Sequence, residues 1–371
     1  MKFKSASQTW SRGINAVQGA VGSPISNPIV ENIHVSCEGE KVRFMATNLN
    51  LSILCEGEAE VEEAGEIVLP AKILGNIGRD LPQGDVFCET KEETVKIRCG
   101  SFLARFKGNP GELFPPFCKL EEGRYIKISS KTLKDTIRKT YITTTTDKAR
   151  FELDGVKFDL KGKVLNCVST DGRRLSRYQI VDEALQEEDF SSFLPAKTLF
   201  EVQKTLPDEG DVEIIFQEKR VQFSCGDAKI VSNLIVENFP PYEKIIPPPG
   251  NIKITFDKEK LLGAVKRASI LSSQETNLII VQIKSKEMRV FAEREEIGGE
   301  GSETISLEYE GEELKIRYNH KFLEDFLKIA DEETVELEIN DPRKPGIWRG
   351  VGNEKFLYVL MPLKEPQEEE R

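Results

Sequence analysis

The stretch "LPAKILGNIGRDLPQGDV" at 69–86 returns as "LPAKTLFEVQKTLPDEGDV" at 194–212. The two Leu-Pro-Ala-Lys copies start at Leu69 and Leu194, a separation of 125 residues. Downstream of each, a strand pair carries "RCG" (98–100) or "SCG" (224–226), followed by "LFPPF" (113–117) or "NFPPY" (238–242). Upstream, "FMATNLNLSI" (44–53) parallels "CVSTDGRRLS" (167–176). Several landmarks in one order at one spacing report an internal duplication. A fainter third copy, "YNHKFLEDFLKIADEETVELEI" (318–339), loses the proline but keeps the lysine, Lys321, at 124 residues after Lys197.

Three tandem units then account for the 371 residues: 1–121, 122–248 and 249–371. The breaks fall near "CKLEEGR" (118–124) and "IIPPPGN" (245–251), where proline interrupts regular pairing. In each unit a helical pattern follows a short strand: "SQTWSRGINAVQGAV" (7–21), "SKTLKDTIRKTYI" (130–142) and "DKEKLLGAVKRASIL" (257–271). Most of the remainder, such as "VKIRC", "VEIIF", "RVQFSC" and "VELEI", alternates apolar with polar residues between Gly, Asp and Asn turns, which predicts antiparallel strands. The expected fold is therefore α+β, with two helices on a large antiparallel sheet in each of three similar domains.

Composition narrows the function. The seven cysteines are odd in number and include no C-x-x-C pair, so neither a disulfide framework nor a structural zinc site is expected. Two histidines, His34 and His320, leave little room for metal or His-based catalysis. No run approaches 18 apolar residues and the opening "MKFKSASQTW" lacks an apolar core, so a cytoplasmic protein without membrane span or signal peptide is expected. No cofactor is expected. No pair of the 63 acidic residues stands out as catalytic, which argues against an enzyme.

A net charge of -11 argues against nucleic-acid binding when averaged over the chain. The average conceals a partition. The six expected helices (7–20, 71–80, 129–141, 196–206, 257–269 and 319–330) sum to +8, which leaves -19 for the rest. On the third, Lys131, Lys134 and Arg138 share a narrow arc beside an apolar arc of Leu133, Ile137 and Tyr141. On the fifth, Lys260 and Arg267 oppose Leu262 and Val265. Charged helix faces are commonly just solvated. Five net-basic helices in an acidic chain suggest a shared surface for a polyanion.

The ordered set "STDGRRLS" (169–176), "FPPYEKIIP" (239–247) and "LYVLMPLK" (357–364) resembles the bacterial DNA polymerase III β-subunit family, the sliding clamps. "MKF" (1–3), "NPIVENI" (27–33) and "SILSS" (269–273) extend the resemblance over the whole chain. It implies a non-catalytic processivity factor: a head-to-tail homodimeric ring, with sheets outside and helices lining a hole for double-stranded DNA. It implies as partners the DNA polymerase III catalytic subunit, the clamp loader and other proteins carrying a clamp-binding peptide. The pocket for that peptide carries over to Leu153, Thr170, Gly172, Arg173, Arg174, Leu175, Pro240, Lys244, Ile245, Arg343, Pro345, Val359, Leu360, Met361, Pro362 and Leu363. DNA-facing cations are expected at Arg12, Lys72, Arg79, Lys131, Lys134, Arg138, Arg150, Lys197, Lys204, Lys260 and Arg267. A dimer contact is expected between the edge strand "SFLARF" (101–106), through Leu103, Ala104 and Phe106, and the region of Ile270 and Leu271. Three features depart from the family. Pro24 stands where many relatives place a DNA-contacting arginine, Glu152 where an aromatic residue can occur, and the acidic "EPQEEER" (365–371) extends past the usual end. This extension is expected to stay unfolded and to screen the adjacent pocket.

Overall fold

The computed structural model describes residues 1–23, 27–144, 153–183, 185, 188–236, 239–294 and 298–364. Pro24, Arg150, Glu152 and the 365–371 extension lie outside these described residues. Six α-helices occur among them: α1 (Ser7–Val17), α2 (Ala71–Asp80), α3 (Ser130–Tyr141), α4 (Ala196–Thr205), α5 (Lys258–Ala268) and α6 (His320–Ile329). Each follows directly on a strand, as the repeat predicts. The expected 7–20 helix ends at Val17 and tightens into a 3₁₀ turn over Gln18–Ala20.

Apolar spacing explains why these segments coil. Trp10, Ile14 and Val17 of α1 are fully buried at i, i+4 and i+7. Trp10 stacks on Phe3 at 5.9 Å and donates from Nε1 to Ser5 Oγ at 3.0 Å. In α3, Leu133 and Ile137 are buried, but Tyr141 is exposed and Thr136 and Thr140 take its place inside. At 100° per residue Tyr141 falls about 80° from Leu133, past the edge of the apolar stripe, while Thr136 and Thr140 fall within it. The repeated prolines, Pro70 and Pro195, close the preceding strands as N-cap residues, one position earlier than the first helical turn. In the third copy Asn319 occupies this position and caps α6, its side chain accepting from Lys321 N.

The chain divides into two compact units whose limits cut across the sequence repeat. The first comprises 1–137, 184–187 and 194–236 and holds two sheets. Its five-stranded sheet runs Glu60–Glu63, Lys2–Ala6, Asp85–Lys91, Thr94–Cys99, Phe102–Lys107. Its nine-stranded sheet joins repeats one and two where Leu51–Glu58 pairs with Ala228–Asn233, Ile53 opposite Ile230. The second unit, 138–183, 188–193 and 237–371, has an eight-stranded and a four-stranded sheet. The eight-stranded sheet joins repeats two and three where Arg174–Val181 pairs with Phe356–Leu360, Ser176 opposite Tyr358. The four-stranded sheet ends at the edge strand Gly299–Ser306. The strand pairings that join the repeats, and those along both sheet edges, are antiparallel. No helix among the described residues is long and apolar enough to cross a membrane.

Candidate functional site

In the second unit the hairpin Val164–Thr170 and Arg174–Val181 turns at Asp171–Arg173. Asp171 Oδ1 accepts from the backbone N–H of Arg173 (2.9 Å) and Arg174 (3.0 Å). Gly172 N donates to Thr170 Oγ1 at 3.1 Å, and Thr170 Oγ1 donates to Arg174 O at 2.7 Å. Gly172 has φ +82°, a left-handed conformation that glycine adopts without Cβ strain. These bonds fix the direction in which Arg174 leaves the turn.

Arg174 points inward, and its side chain is only 9% exposed. Nε donates to Asp171 Oδ2 at 3.0 Å, one terminal nitrogen donates to Asp325 Oδ2 at 2.7 Å and to Tyr358 Oη at 3.3 Å, and the guanidinium lies 4.2 Å from the Phe322 ring centre. Burial opposes its charge, but Tyr358, Asp325 and Asp171 outweigh burial and raise its pKa. Asp325 and Phe322 come from α6, so this network fastens the repeat-two turn to the first helical turns of α6 in repeat three.

Beside the turn, Val168, Leu175, Tyr242, Ile347, Leu357 and Val359 form a buried apolar cluster, with Phe239 and Ile246 packed against it. Tyr242 Oη donates to Asp159 Oδ2 at 2.6 Å, and burial and that carboxylate together push the phenol pKa up. The tyrosine therefore holds its proton and stays a donor. Around this cluster several residues reach the surface. Met361 is 45% and Ile245 37% exposed, while Gly172, Arg173, Lys244 and Arg343 are also exposed. Met361 N donates to Arg173 O at 3.1 Å, which holds the last strand to the turn.

The structure thus brings together Thr170, Gly172, Arg173, Arg174, Leu175, Val359 and Met361 by strand pairing, and Ile245 through its neighbours Tyr242 and Ile246. Arg343, Pro362 and Leu363 line one cleft. Pro345 precedes the strand Gly346–Gly350, and Pro240 and Lys244 flank Tyr242. Leu360 is fully buried, and alternation sets it with Phe356 and Tyr358 rather than with Leu357 and Val359. Leu153 is half-buried, two residues ahead of the strand Gly155–Lys161. Sequence reasoning missed Phe322, Asp325, Ile347 and Leu357. Phe239 and Tyr242 were flagged only as parts of the "NFPPY" repeat and of the "FPPYEKIIP" motif, not as site residues.

The helix cations divide into two classes. Arg12 pairs with Asp227 (2.9 Å), Lys134 with Asp208 (2.8 Å) and Arg138 with Asp331 (2.7 Å). Lys204 pairs with Glu201 (3.2 Å), Lys260 with Asp257 (3.6 Å) and Arg267 with Glu303. Among the described residues no carboxylate pairs with Lys72, Arg79, Lys131 or Lys197, all of which are exposed. Two of these four are the lysines of the repeated tetrapeptide.

The edge strand Phe102–Lys107 leaves Leu103 55% exposed and Phe102 37% exposed, with Ala104 and Phe106 half-buried. Ile270 is 73% exposed on the 3₁₀ turn Ser269–Leu271, beside the other free edge; a Cβ at Gly301 would sit 3.4 Å from Leu271 Cβ.

Family descriptions match nearly the whole chain: DNA polymerase III beta subunit N-terminal domain over 1–113, central domain over 127–241 and C-terminal domain over 243–364. A beta sliding clamp of Synechocystis sp. is 26% identical, with 98% of this chain and 99% of that protein covered. The crystal structure of the DNA polymerase sliding clamp of Bacillus subtilis superposes with a TM-score of 0.92 at 25% identity, covering 99% of this chain and all of that one. The Bartonella birtlesii sliding clamp, solved bound to griselimycin, gives a TM-score of 0.91 at 25% identity, covering 98% of this chain and all of that one. With its three repeats matched in order, the chain belongs to the DNA polymerase III β-subunit family, the sliding clamps, non-catalytic processivity factors of the replicative polymerase.

Proposed function

We propose that this clamp works as a head-to-tail homodimer closed around duplex DNA, built from three domains per chain with limits near 1–121, 122–248 and 249–371. The observation that carries the reading is an unfinished pattern of strand pairing. Repeat two gives Ala228–Asn233 to Leu51–Glu58 of repeat one, and repeat three gives Phe356–Leu360 to Arg174–Val181 of repeat two. The corresponding strand of repeat one is Phe102–Lys107, and the corresponding acceptor in repeat three is Gly299–Ser306. Both are sheet edges. Carrying the register across sets Ala104 opposite Gly301, Leu103 opposite Ser302 and Arg105 opposite Glu300 of a second copy. That pairing covers two exposed edges and opposes unlike charges.

Binding to DNA then resides in ring closure. Lys72, Arg79, Lys131 and Lys197 supply phosphate contacts. The paired cations must leave a carboxylate first, which weakens their hold and suits movement along the duplex. The exposed Met361 and Ile245 over that buried cluster, with Arg173, Lys244 and Arg343 beside them, take short peptides with apolar anchors from the polymerase catalytic subunit, the clamp loader and other partners. Such a protein works in the cytoplasm.

Retention on DNA tests this reading. Clamp loaded on a nicked circle is expected to survive a high-salt wash and to leave when the circle is cut. Equal loss from circular and linear DNA removes the reading. Light scattering is expected to give about 84 kDa, twice the 41.9 kDa chain.

A further inference from the structure

In all three repeats the first strand ends on the same bond, the first helical N–H donating to the carbonyl just ahead of the neighbouring strand: Ser7 N to Gly84 O (2.8 Å), Ser130 N to Gly210 O (2.8 Å) and Lys258 N to Glu333 O (2.9 Å). Bonded pairs alternate along an antiparallel ladder. Phe3 and Ser5 therefore bond inward to Asp85–Lys91, and Lys4 turns its backbone N–H and C=O outward. Repeat one covers that outward edge with its own strand Glu60–Glu63, Lys4 opposite Glu60, tied by Lys2–Glu62 (2.5 Å) and Lys4–Glu60 (3.2 Å). In repeat three the same alternation turns Thr255 outward from Ile252–Asp257. This strand is the last of the eight-stranded sheet and pairs on one side only.

The segment that corresponds to the cover lies elsewhere. Ala59 N donates to Glu40 O (2.9 Å) and Leu307 N to Lys286 O (3.0 Å), a matched bond just ahead of Glu60–Glu63 and of Glu308, Tyr309 and Glu310. In repeat three the chain then stays with the Lys286 hairpin, Lys286 N donating to Tyr309 O at 3.4 Å. A groove of ≈ 880 Å³ is left, with Thr255 and Asp257 on one side and Glu308, Tyr309 and Glu310 on the other. Thr255 stands where repeat one has Lys4, so the ion pair that seals repeat one has no cation here. Lys260 is held by Asp257 at 3.6 Å. Among the described residues the exposed Glu308 and Glu310 pair with no cation, and Lys286 is the one further cation of the lining.

We propose that this edge is a docking site for an extended basic peptide, which adds as an antiparallel strand at Thr255 and sets a lysine or arginine against Glu308 and Glu310. Repeat one supplies the template, a four-residue strand, and the edge in repeat three is six residues long. The groove has the size of a ligand cleft, about 300–1,000 Å³. In such strand addition the backbone bonds give affinity and the side chains give selection. Charge selects the sign. Two free carboxylates against one lysine, on a chain of net charge -11, favour a basic strand over an acidic one. The lining shares no residue with the peptide site near Met361.

The probe is a fluorescein-labelled hexapeptide of alternating lysine and valine, read by anisotropy on the full chain. It is expected to bind at least about tenfold more tightly than its glutamate–valine counterpart or the same peptide N-methylated at every residue. Thr255→Pro removes the outward N–H and spares the bonds to Thr334–Ile339, so it is expected to weaken binding about tenfold with the urea midpoint kept. Glu308→Gln/Glu310→Gln is expected to weaken it about threefold at low salt and not at high salt. No binding, equal binding of the N-methylated peptide, or unchanged binding by Thr255→Pro overturns the proposal; indifference to the glutamine changes overturns the basic occupant. Hydrogen exchange distinguishes the peptide from the chain's own segment as cover. The Thr255 amide is expected to exchange fast in the free chain and slowly with peptide present. Slow exchange in the free chain means that the segment at Glu308 and Glu310 already covers the edge, and overturns the site.

Discussion

The two places where one repeat hands its sheet to the next are built on the same turn and carry different side chains. At the first, Leu49 N donates to Thr47 Oγ1 (3.0 Å), Asn50 N and Leu51 N donate to Asn48 Oδ1 (3.0 and 2.8 Å), and Thr47 Oγ1 donates to Leu51 O (3.2 Å). Every bond has its counterpart at Thr170, Asp171, Gly172, Arg173 and Arg174. Even the backbone agrees: Leu49 holds φ +74° where Gly172 holds +82°. The following strand also docks alike, Asn233 N on Asn50 O and Met361 N on Arg173 O. The contrast lies in four substitutions. The first turn carries Asn48, Leu49, Asn50 and the buried Leu51; the second carries Asp171, Gly172, Arg173 and the half-buried Arg174. One scaffold thus gives a plain apolar junction at the first position and, at the second, a guanidinium clamp on α6 beside the exposed Met361. The second turn carries no side chain at 172, and the charge turned inward at 174 ties the turn to α6.

The widest difference is at 174, so breaking it has the largest effect. Arg174→Met leaves Asp171 and Asp325 without their shared cation, and the unfolding free energy is expected to fall by about 3–5 kcal/mol. Urea denaturation of the purified chain measures this. A loss no larger than that of an exposed substitution shows the clamp to be idle. Next comes an exchange of the residue in the left-handed position. Gly172→Leu copies the first turn into the second, at a backbone cost of about 1–2 kcal/mol. It also sets an apolar side chain into the proposed peptide site, and affinity for a labelled peptide with apolar anchors is expected to drop at least about tenfold, since 1.4 kcal/mol of lost contact suffices. The reciprocal Leu49→Gly relieves the left-handed leucine, which is 53% exposed and loses little packing, and is expected to stabilise by up to about 1 kcal/mol. If Leu49→Gly instead destabilises by that amount, Leu49 is packing against something that gives the first junction a role of its own.

How much of this was legible depends on the distance over which residues act. The repeat, the six helices and the turn at Asp171-Gly172 follow from local spacing and turn chemistry, and the structure has them within a few residues. Equivalence of Leu49 with Gly172 was implicit in the alignment of "ATNLNLS" with "STDGRRLS", yet nothing in a leucine announces a positive φ. The partners of Arg174 were not legible: Asp325 lies 151 residues away and becomes a neighbour only when repeats two and three share a sheet. For the same reason the sequence showed a basic helical face but not its neutralisation, because Asp208, Asp227, Glu303 and Asp331 approach from outside the helices they serve. Composition alone thus overstated the free positive charge.

The smallest expected effect separates the two halves of α3, whose cations are held in different ways. Lys134 in the first unit reaches Asp208, a fully exposed carboxylate that the lysine holds below its usual range. Arg138 and Lys139 in the second unit converge on Asp331, each at 2.7 Å, and Lys139 is itself buried. Burial pushes the Asp331 carboxyl up, but Lys139 and Arg138 outweigh it and hold its pKa below the ordinary aspartate value. A folded-state pKa below the unfolded one gives stability that is fully present above about pH 5, where even the unfolded carboxyl is ionised, and is lost as pH falls through the folded value. Asp331→Asn is therefore expected to lower stability at pH 7 by about 1 kcal/mol or less, since the carboxylate is half open to solvent. The gap from the parent chain should narrow steadily below about pH 4, because acid then performs the same neutralisation. Asp208→Asn, as the exposed control, should leave the urea midpoint where it is at both ends of the range. A gap at Asp331 that stays constant with pH would mean that the residue acts by its shape and hydrogen bonds, not by its charge, and would remove the electrostatic distinction between the two ends of the helix.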